Sequence, residues 1–386
     1  MSFSLVSCDG SVTKESNAHA TAMCGVRTGG CAIMDEGACI DTGGEIMRGF
    51  GRIVAAFFIA FHAGPAAAQG QLNIVCSVQL PWCEAVINAF QKETGIKAGM
   101  TQKSAGEAMA QIAAEKANPK IDVWYTGSGD PHLQAAELGL TEDYKSAMLS
   151  QLHDWAVRQA EQSKYRTVGV YTGALGIAYN PEILAKKQIA APKCWADLAN
   201  PIYKDEVQMA NPNASGTAYA TIATFVQIFG ENKAFELLKG MHANTNNYPR
   251  SGPGAVRAVA RGETGVGVTF LHDGMTEIAN GFPVKIVVPC EGTGYEVGSM
   301  SIIKGAKNLD NAKKFYDWAL TPAAQKIGGD LKNFQVPSNR SVPAPPGAPK
   351  MDEIKLINYD FAKYGSAAER KRLLEKWDRD VYAIPR

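Results

Sequence analysis

Charge is almost balanced in this 386-residue chain, with 39 Lys and Arg against 38 Asp and Glu and a formal net charge of +1. Such a balance leaves no electrostatic footprint for nucleic acid or for an acidic membrane surface. The apolar run from Ile53 to Phe61 is nine residues long, well short of the roughly 20 that cross a bilayer. Cys8, Cys24, Cys31 and Cys39 contain no Cys-x-x-Cys pair, so their loose spacing does not support a metal site. No Gly-x-Ser-x-Gly elbow surrounds Ser104. A hydrolytic triad of Ser104, His272 and Asp273 therefore has little support, because a His followed directly by an Asp is poorly oriented by that neighbour. What remains is 46% hydrophobic and 20% charged residues, the composition of an ordinary soluble protein long enough for about two domains.

The N-terminus carries the plainest signal. Met47-Arg48-Gly49-Phe50-Gly51-Arg52 is basic, the apolar run follows, and Ala66-Ala67-Ala68 precedes Gln69. Basic, apolar and small-residue zones in that order read as a secretory signal peptide over 47–68, with Gln69 as the first mature residue. Residues 1–46 then stand upstream of a segment that normally begins a chain, and they show no helical or alternating period. They are expected to be an untranslated or disordered leader, with translation starting at Met47. Export leaves four cysteines, Cys76, Cys83, Cys194 and Cys290. In an oxidising compartment these suggest two disulfides. Of three possible pairings, Cys76 with Cys83 and Cys194 with Cys290 is the expected one, and buried free thiols are the alternative.

Beyond Gln69, strands and helices alternate. Leu72 to Cys76, Gly95 to Met100 and Ile121 to Tyr125 read as strands, and Glu84 to Glu93 and Glu107 to Glu115 as helices between them. A second run begins with the extended stretch Val168 to Asn180, ended by Pro181. It continues through strands Val207 to Ala210, Val266 to Phe270 and Val284 to Val288, with helices Thr217 to Phe229 and Phe235 to Met241. Parallel sheets of this kind bind ligands at the carboxyl ends of their strands. Those ends carry Ser77-Val78-Gln79, Lys103-Ser104-Ala105-Gly106, Thr126-Gly127-Ser128-Gly129, Ser215-Gly216-Thr217, Arg250-Ser251-Gly252 and His272-Asp273. Each of the serine loops has two readings, as a helix cap or as an anion site built from free N–H groups.

The stretches DVWYTGSGDPHLQAAELGL, YTGALGIAYN, CWADLANPIYKDEVQMANPNASGTAYAT, FLHDG and PCEGTGYEVGSMSIIKGAKNLDNAKKFYDWALTPAAQ resemble the periplasmic solute-binding proteins of bacterial ABC importers. The similarity is to the subfamily labelled ferric-iron binding, which also includes hexose-phosphate binders, and it spans about Leu72 to Asp380. It implies an α/β, type II periplasmic-binding-protein clamshell, two lobes each with a mixed, mainly parallel sheet flanked by helices. Lobe one would be 72–170 plus 300–386, and lobe two 171–299, closing by a hinge. The helix from Ala367 to Val381 is expected to pack back on lobe one.

By the same resemblance the ligand lies between the lobes. Ser104, Thr126, Gly127 and Ser128 would meet it from lobe one, and Ser215, Gly216, Thr217, Ser251, His272, Asp273 and Glu296 from lobe two. The iron binders use adjacent tyrosines, and this chain has no Tyr-Tyr pair. Hydroxyls, glycine N–H groups and Arg250 suit phosphate better than a hard trivalent cation. The expected function is capture of a phosphorylated small molecule, a sugar phosphate or similar anion, for an ABC permease in the inner membrane. The alternative is a ferric-ion carrier using His272, Asp273, Glu296 and tyrosines such as Tyr125 or Tyr248. A binding protein of this kind is expected to be a monomer and not an enzyme, with no resident cofactor or metal; the signal peptide sends it to the periplasm, and the balanced charge argues against a nucleic-acid partner.

Overall fold

A computed structural model describes residues 71–386. The expected leader (1–46) and signal peptide (47–68) lie outside the described residues. The described residues form ten strands: β1 Leu72–Cys76, β2 Ala98–Gln102, β3 Val123–Tyr125, β4 Val168–Tyr179, β5 Val207–Gln208, β6 Thr245–Asn247, β7 Val266–Phe270, β8 Lys285–Val287, β9 Tyr295–Ile302 and β10 Val336–Pro337. Their order is β2-β1-β3-β9-β4-β7-β5-β6, with β8 and β10 also paired to β4. The sheet is mixed. The pairs β1/β2, β1/β3, β5/β6 and β5/β7 are parallel, and every antiparallel pair involves β4 or β9. Among the described residues no helix is long and apolar enough to cross a membrane.

Strand β4 is the element that joins the two halves. Its residues 168–174 pair with β9, and 175–179 pair with β7. All but its last residue are buried, as expected for a strand covered on both faces. One apolar core, including Leu72, Phe90, Tyr125, Met300 and Phe315, lies on the first half. Another, including Leu175, Trp195, Tyr219, Phe225 and Val268, lies on the second.

The C-terminal helix Ala367–Trp377 corrects one expectation. Leu373, Trp377 and Val381 join the core of the second half, not the first, and the Trp377 ring meets Tyr248 edge-on with centroids 5.8 Å apart. The apolar stripe gave the buried face of this helix, but periodicity carries no information about which core receives it. Both expected disulfides are formed, Cys76–Cys83 and Cys194–Cys290.

Candidate functional site

Four serines stand at the starts of four helices, and all four line one cavity. Ser104 precedes Ala105–Ala114, Ser128 precedes Gly129–Glu137, Ser215 precedes Gly216–Phe229 and Ser251 precedes Gly252–Arg261. The first N–H groups of each helix have no partner within the helix. The positive ends of four helix dipoles thus meet at this point. Ser215 Oγ accepts from Ala218 N at 3.4 Å, so it acts as a cap, while Ser128 and Ser251 make no such side-chain capping bond. Gly216 is required here by close approach: a Cβ on it would lie 2.6 Å from Ser128 Oγ.

The same cavity is also lined by three buried ionisable groups. His272 and Asp273 were expected at a strand end, but they occupy the first turn of the helix Leu271–Ala279, which follows β7 without a loop. Glu296 is on β9. Each is only 3% exposed, as befits groups walled in from both sides. His272 Nε2 lies 3.8 Å from Asp273 Oδ1 and 3.7 Å from Glu296 Oε1. Burial pushes the His272 imidazole down to about 3, so the ring is neutral at physiological pH. Burial lifts Asp273 to about 7 against the opposing pull of Arg257. Glu296 is held well above its ordinary range by burial and then by the Asp273 charge, with the Ser128 hydrogen bond working the other way. Two protonatable carboxyls and a neutral imidazole can both give and accept hydrogen bonds, which is what hydroxyl recognition needs.

The two halves touch across the cavity. Ser104 Oγ donates to the Ala214 carbonyl at 2.7 Å, and Gly106 N donates to the same oxygen at 2.9 Å. Glu107 pairs with Arg250. Gln79 Nε2 donates to Asp273 Oδ1 at 2.7 Å.

Of the residues singled out in the sequence, Ser104, Gly127, Ser128, Ser215, Gly216, Thr217, Ser251, His272, Asp273 and Glu296 line the cavity. Thr126 does not. Its backbone is left-handed, with φ of 65°, and its hydroxyl donates to the Tyr125 carbonyl at 2.5 Å, away from the cavity. Arg250 is also not a lining residue, since its side chain is 83% exposed and taken up by Glu107. Among the described residues no Lys or Arg lines the cavity. Gln79, Tyr171 and Gln335 also line it; of these, only Gln79 stood in one of the loops placed on the ligand edge. Gln79 lies in the first strand-to-helix loop, a position signal that was available. Tyr171 and Gln335 had none, because one sits within a long apolar strand and the other in an irregular segment.

Residues 118–364 match the family described as bacterial extracellular solute-binding protein. The chain belongs to that family. This solute-binding protein is 45% identical over 323 residues to an uncharacterized protein of Haemophilus influenzae, across 83% of this chain and 93% of that one. Among solved structures it is similar to the periplasmic binding protein AfuA of Actinobacillus pleuropneumoniae with exogenous fructose-6-phosphate bound. There the identity is 44%, the TM-score 0.79, and coverage 82% of this chain and 99% of the other. The periplasmic binding protein P5PA matches with 37% identity, the same TM-score of 0.79, and coverage of 81% and 99%. These relatives make the fold that of a two-lobed, type II periplasmic binding protein.

Proposed function

We propose that this protein captures a sugar phosphate in the periplasm and delivers it to an ABC permease of the inner membrane. The observation that carries the reading is the convergence of four serine-preceded helix starts on one cavity whose lining also includes His272, Asp273 and Glu296. Helix N-termini and hydroxyls neutralise a phosphate without a cationic side chain. The carboxyls and imidazole of the same cavity can give and accept the hydrogen bonds that sugar hydroxyls need. The bound fructose-6-phosphate of the similar AfuA structure supports the same assignment.

Ferric ion fits these residues less well. Among the described residues Tyr171 is the only tyrosine lining the cavity, and burial next to Glu296 and Asp273 raises its hydroxyl well above the ordinary range, which opposes the phenolate that iron wants. Tyr125 is packed in the first core against Phe315, and the Tyr248 hydroxyl is hydrogen-bonded to His242 at 2.8 Å. Among the described residues, three ligand atoms from His, Cys, Asp or Glu come within 4.8 Å of one another only at Cys194, Cys290 and Glu291, where both cysteines are in a disulfide. We also read the site as one for binding rather than catalysis. The single Ser104 hydroxyl proton is shared between Ala214 O and Glu107 Oε2 as acceptors, so Ser104 is not hydrogen-bonded to His272 as a triad nucleophile would be.

Calorimetric titration of the chain beginning at Gln69 tests this. Fructose 6-phosphate or glucose 6-phosphate is expected to bind, and free fructose, inorganic phosphate and ferric citrate to bind at least roughly a hundredfold more weakly, since each lacks half of the recognised groups. Saturable binding of ferric citrate without binding of either sugar phosphate overturns it.

A further inference from the structure

His272 is held by its neighbours in an unusual way. Phe270 stacks on its face at 5.3 Å with 16° between the planes, and Tyr171 meets it edge-on at 6.2 Å. Its Nε2 turns toward Asp273 and Glu296. Its Nδ1 is buried and has no hydrogen-bond partner among the described residues. The reason lies on β4, where Gly173 stands directly opposite Glu296 in the strand register. A Cβ on Gly173 would fall 2.6 Å from His272 Cε1 and closer still to Nδ1. The Nδ1 edge of the imidazole therefore occupies the space that any other residue at 173 would fill.

A neutral imidazole has one N–H and one bare nitrogen. A buried N–H without an acceptor is costly and rare, more so than a bare acceptor. With Nδ1 against the Gly173 backbone and Nε2 facing two carboxyls, the proton belongs on Nε2. We propose that Gly173 is a positioning residue of the binding site, whose missing side chain lets the His272 ring seat against β4 and present Nε2–H as a hydrogen-bond donor between Asp273 and Glu296. His272 then gives a hydrogen bond to a sugar oxygen or a carboxylate and does not serve as a cation for the phosphate. The assignment of the donor to a sugar oxygen rests on the proposed function; the ring's seat and tautomer do not.

Two measurements separate these. The ¹⁵N spectrum of histidine-labelled protein, with His272→Ala used to assign the resonance, is expected to show His272 neutral with the proton on Nε2 between pH 6 and 8. A proton on Nδ1 or a cationic ring overturns the proposal whatever the ligand proves to be.

The second is a cycle of Gly173→Ala, His272→Ala and the double variant, read by melting temperature and by fructose 6-phosphate titration. Gly173→Ala is expected to lower the melting temperature and to weaken binding by roughly tenfold or more when His272 is present, and to change binding by less than about twofold when it is absent. Equal losses in both backgrounds would mean that Gly173 acts through something other than the imidazole. If Gly173→Ala fails to fold, recovery of folding in the double variant supports the seat and failure of both contradicts it. Should the parent protein not bind the sugar phosphate, the function proposed above falls, and the tautomer and melting cycle still decide the role of Gly173.

Discussion

Gln79 Nε2 donates to Asp273 Oδ1 across 2.7 Å and thereby ties the first strand-to-helix loop of one half to the first turn of a helix in the other. Thr269 Oγ1 adds a second bond to Asp273 at 3.2 Å. Both residues are buried. Gln79→Ala leaves a buried carboxyl with one partner fewer, a loss of about 1–3 kcal/mol. Urea unfolding should show that drop, and fructose 6-phosphate affinity should fall with it, because Asp273 loses its fixed direction. An unchanged affinity would mean that Asp273 does not meet the ligand.

The serines and Arg250 are expected to separate cleanly. Ser215 lines the cavity at a helix start, whereas Arg250 is 83% exposed and paired with Glu107. If the anion is held by helix starts and hydroxyls, Ser215→Ala should weaken fructose 6-phosphate binding roughly tenfold or more, the size of a hydrogen bond to a charged group. Arg250→Ala should change it less than about threefold, since an exposed ion pair contributes little. Calorimetry on both variants gives the comparison, and the reverse ranking would restore Arg250 as the phosphate ligand.

Stability of the unliganded protein should fall between pH 6.5 and 8. Asp273 is lifted to about 7 and Glu296 well above its usual range, while both titrate near ~4 in the unfolded chain. The folded form therefore holds the extra protons above pH ~4, and the stability they contribute is lost as pH rises through the folded values. His272, pushed down to about 3, works in the opposite sense, but only up to its unfolded value of ~6.5. Asp130, lifted to about 6, has largely completed its titration by pH 6.5. Thermal melting across this window should show the decline, and Glu296→Gln should flatten it.

The Cys76–Cys83 bridge closes the loop that carries Ser77 and Gln79 to the cavity. Replacing both cysteines with Ala is expected to cost about 2–3 kcal/mol by the chain-entropy account. Binding should weaken as well, because the loop is freed at the end that meets Asp273. Urea unfolding and calorimetry on the double variant measure the two effects.

Much of this was legible in the chain. Strands such as Leu72–Cys76 and Val266–Phe270 are short apolar runs between turn residues, and a serine at a strand-to-helix junction is both a cap signal and a position on the ligand edge. Local pattern thus located four of the cavity's serines. What it could not give is direction. Thr126 sits in the right loop yet turns its hydroxyl back to its own strand, and Arg250 follows the right strand yet points out to Glu107. The packing of Ala367–Trp377 on the second core depends on long-range contacts that a periodic stripe does not encode.

The most direct test of the account is the crystal structure of the protein with fructose 6-phosphate bound. The account predicts the phosphoryl group at the starts of Gly216–Phe229 and Gly252–Arg261, with the sugar hydroxyls on His272, Asp273 and Glu296. A phosphoryl group lying against His272, or a ligand outside this cavity, would contradict it.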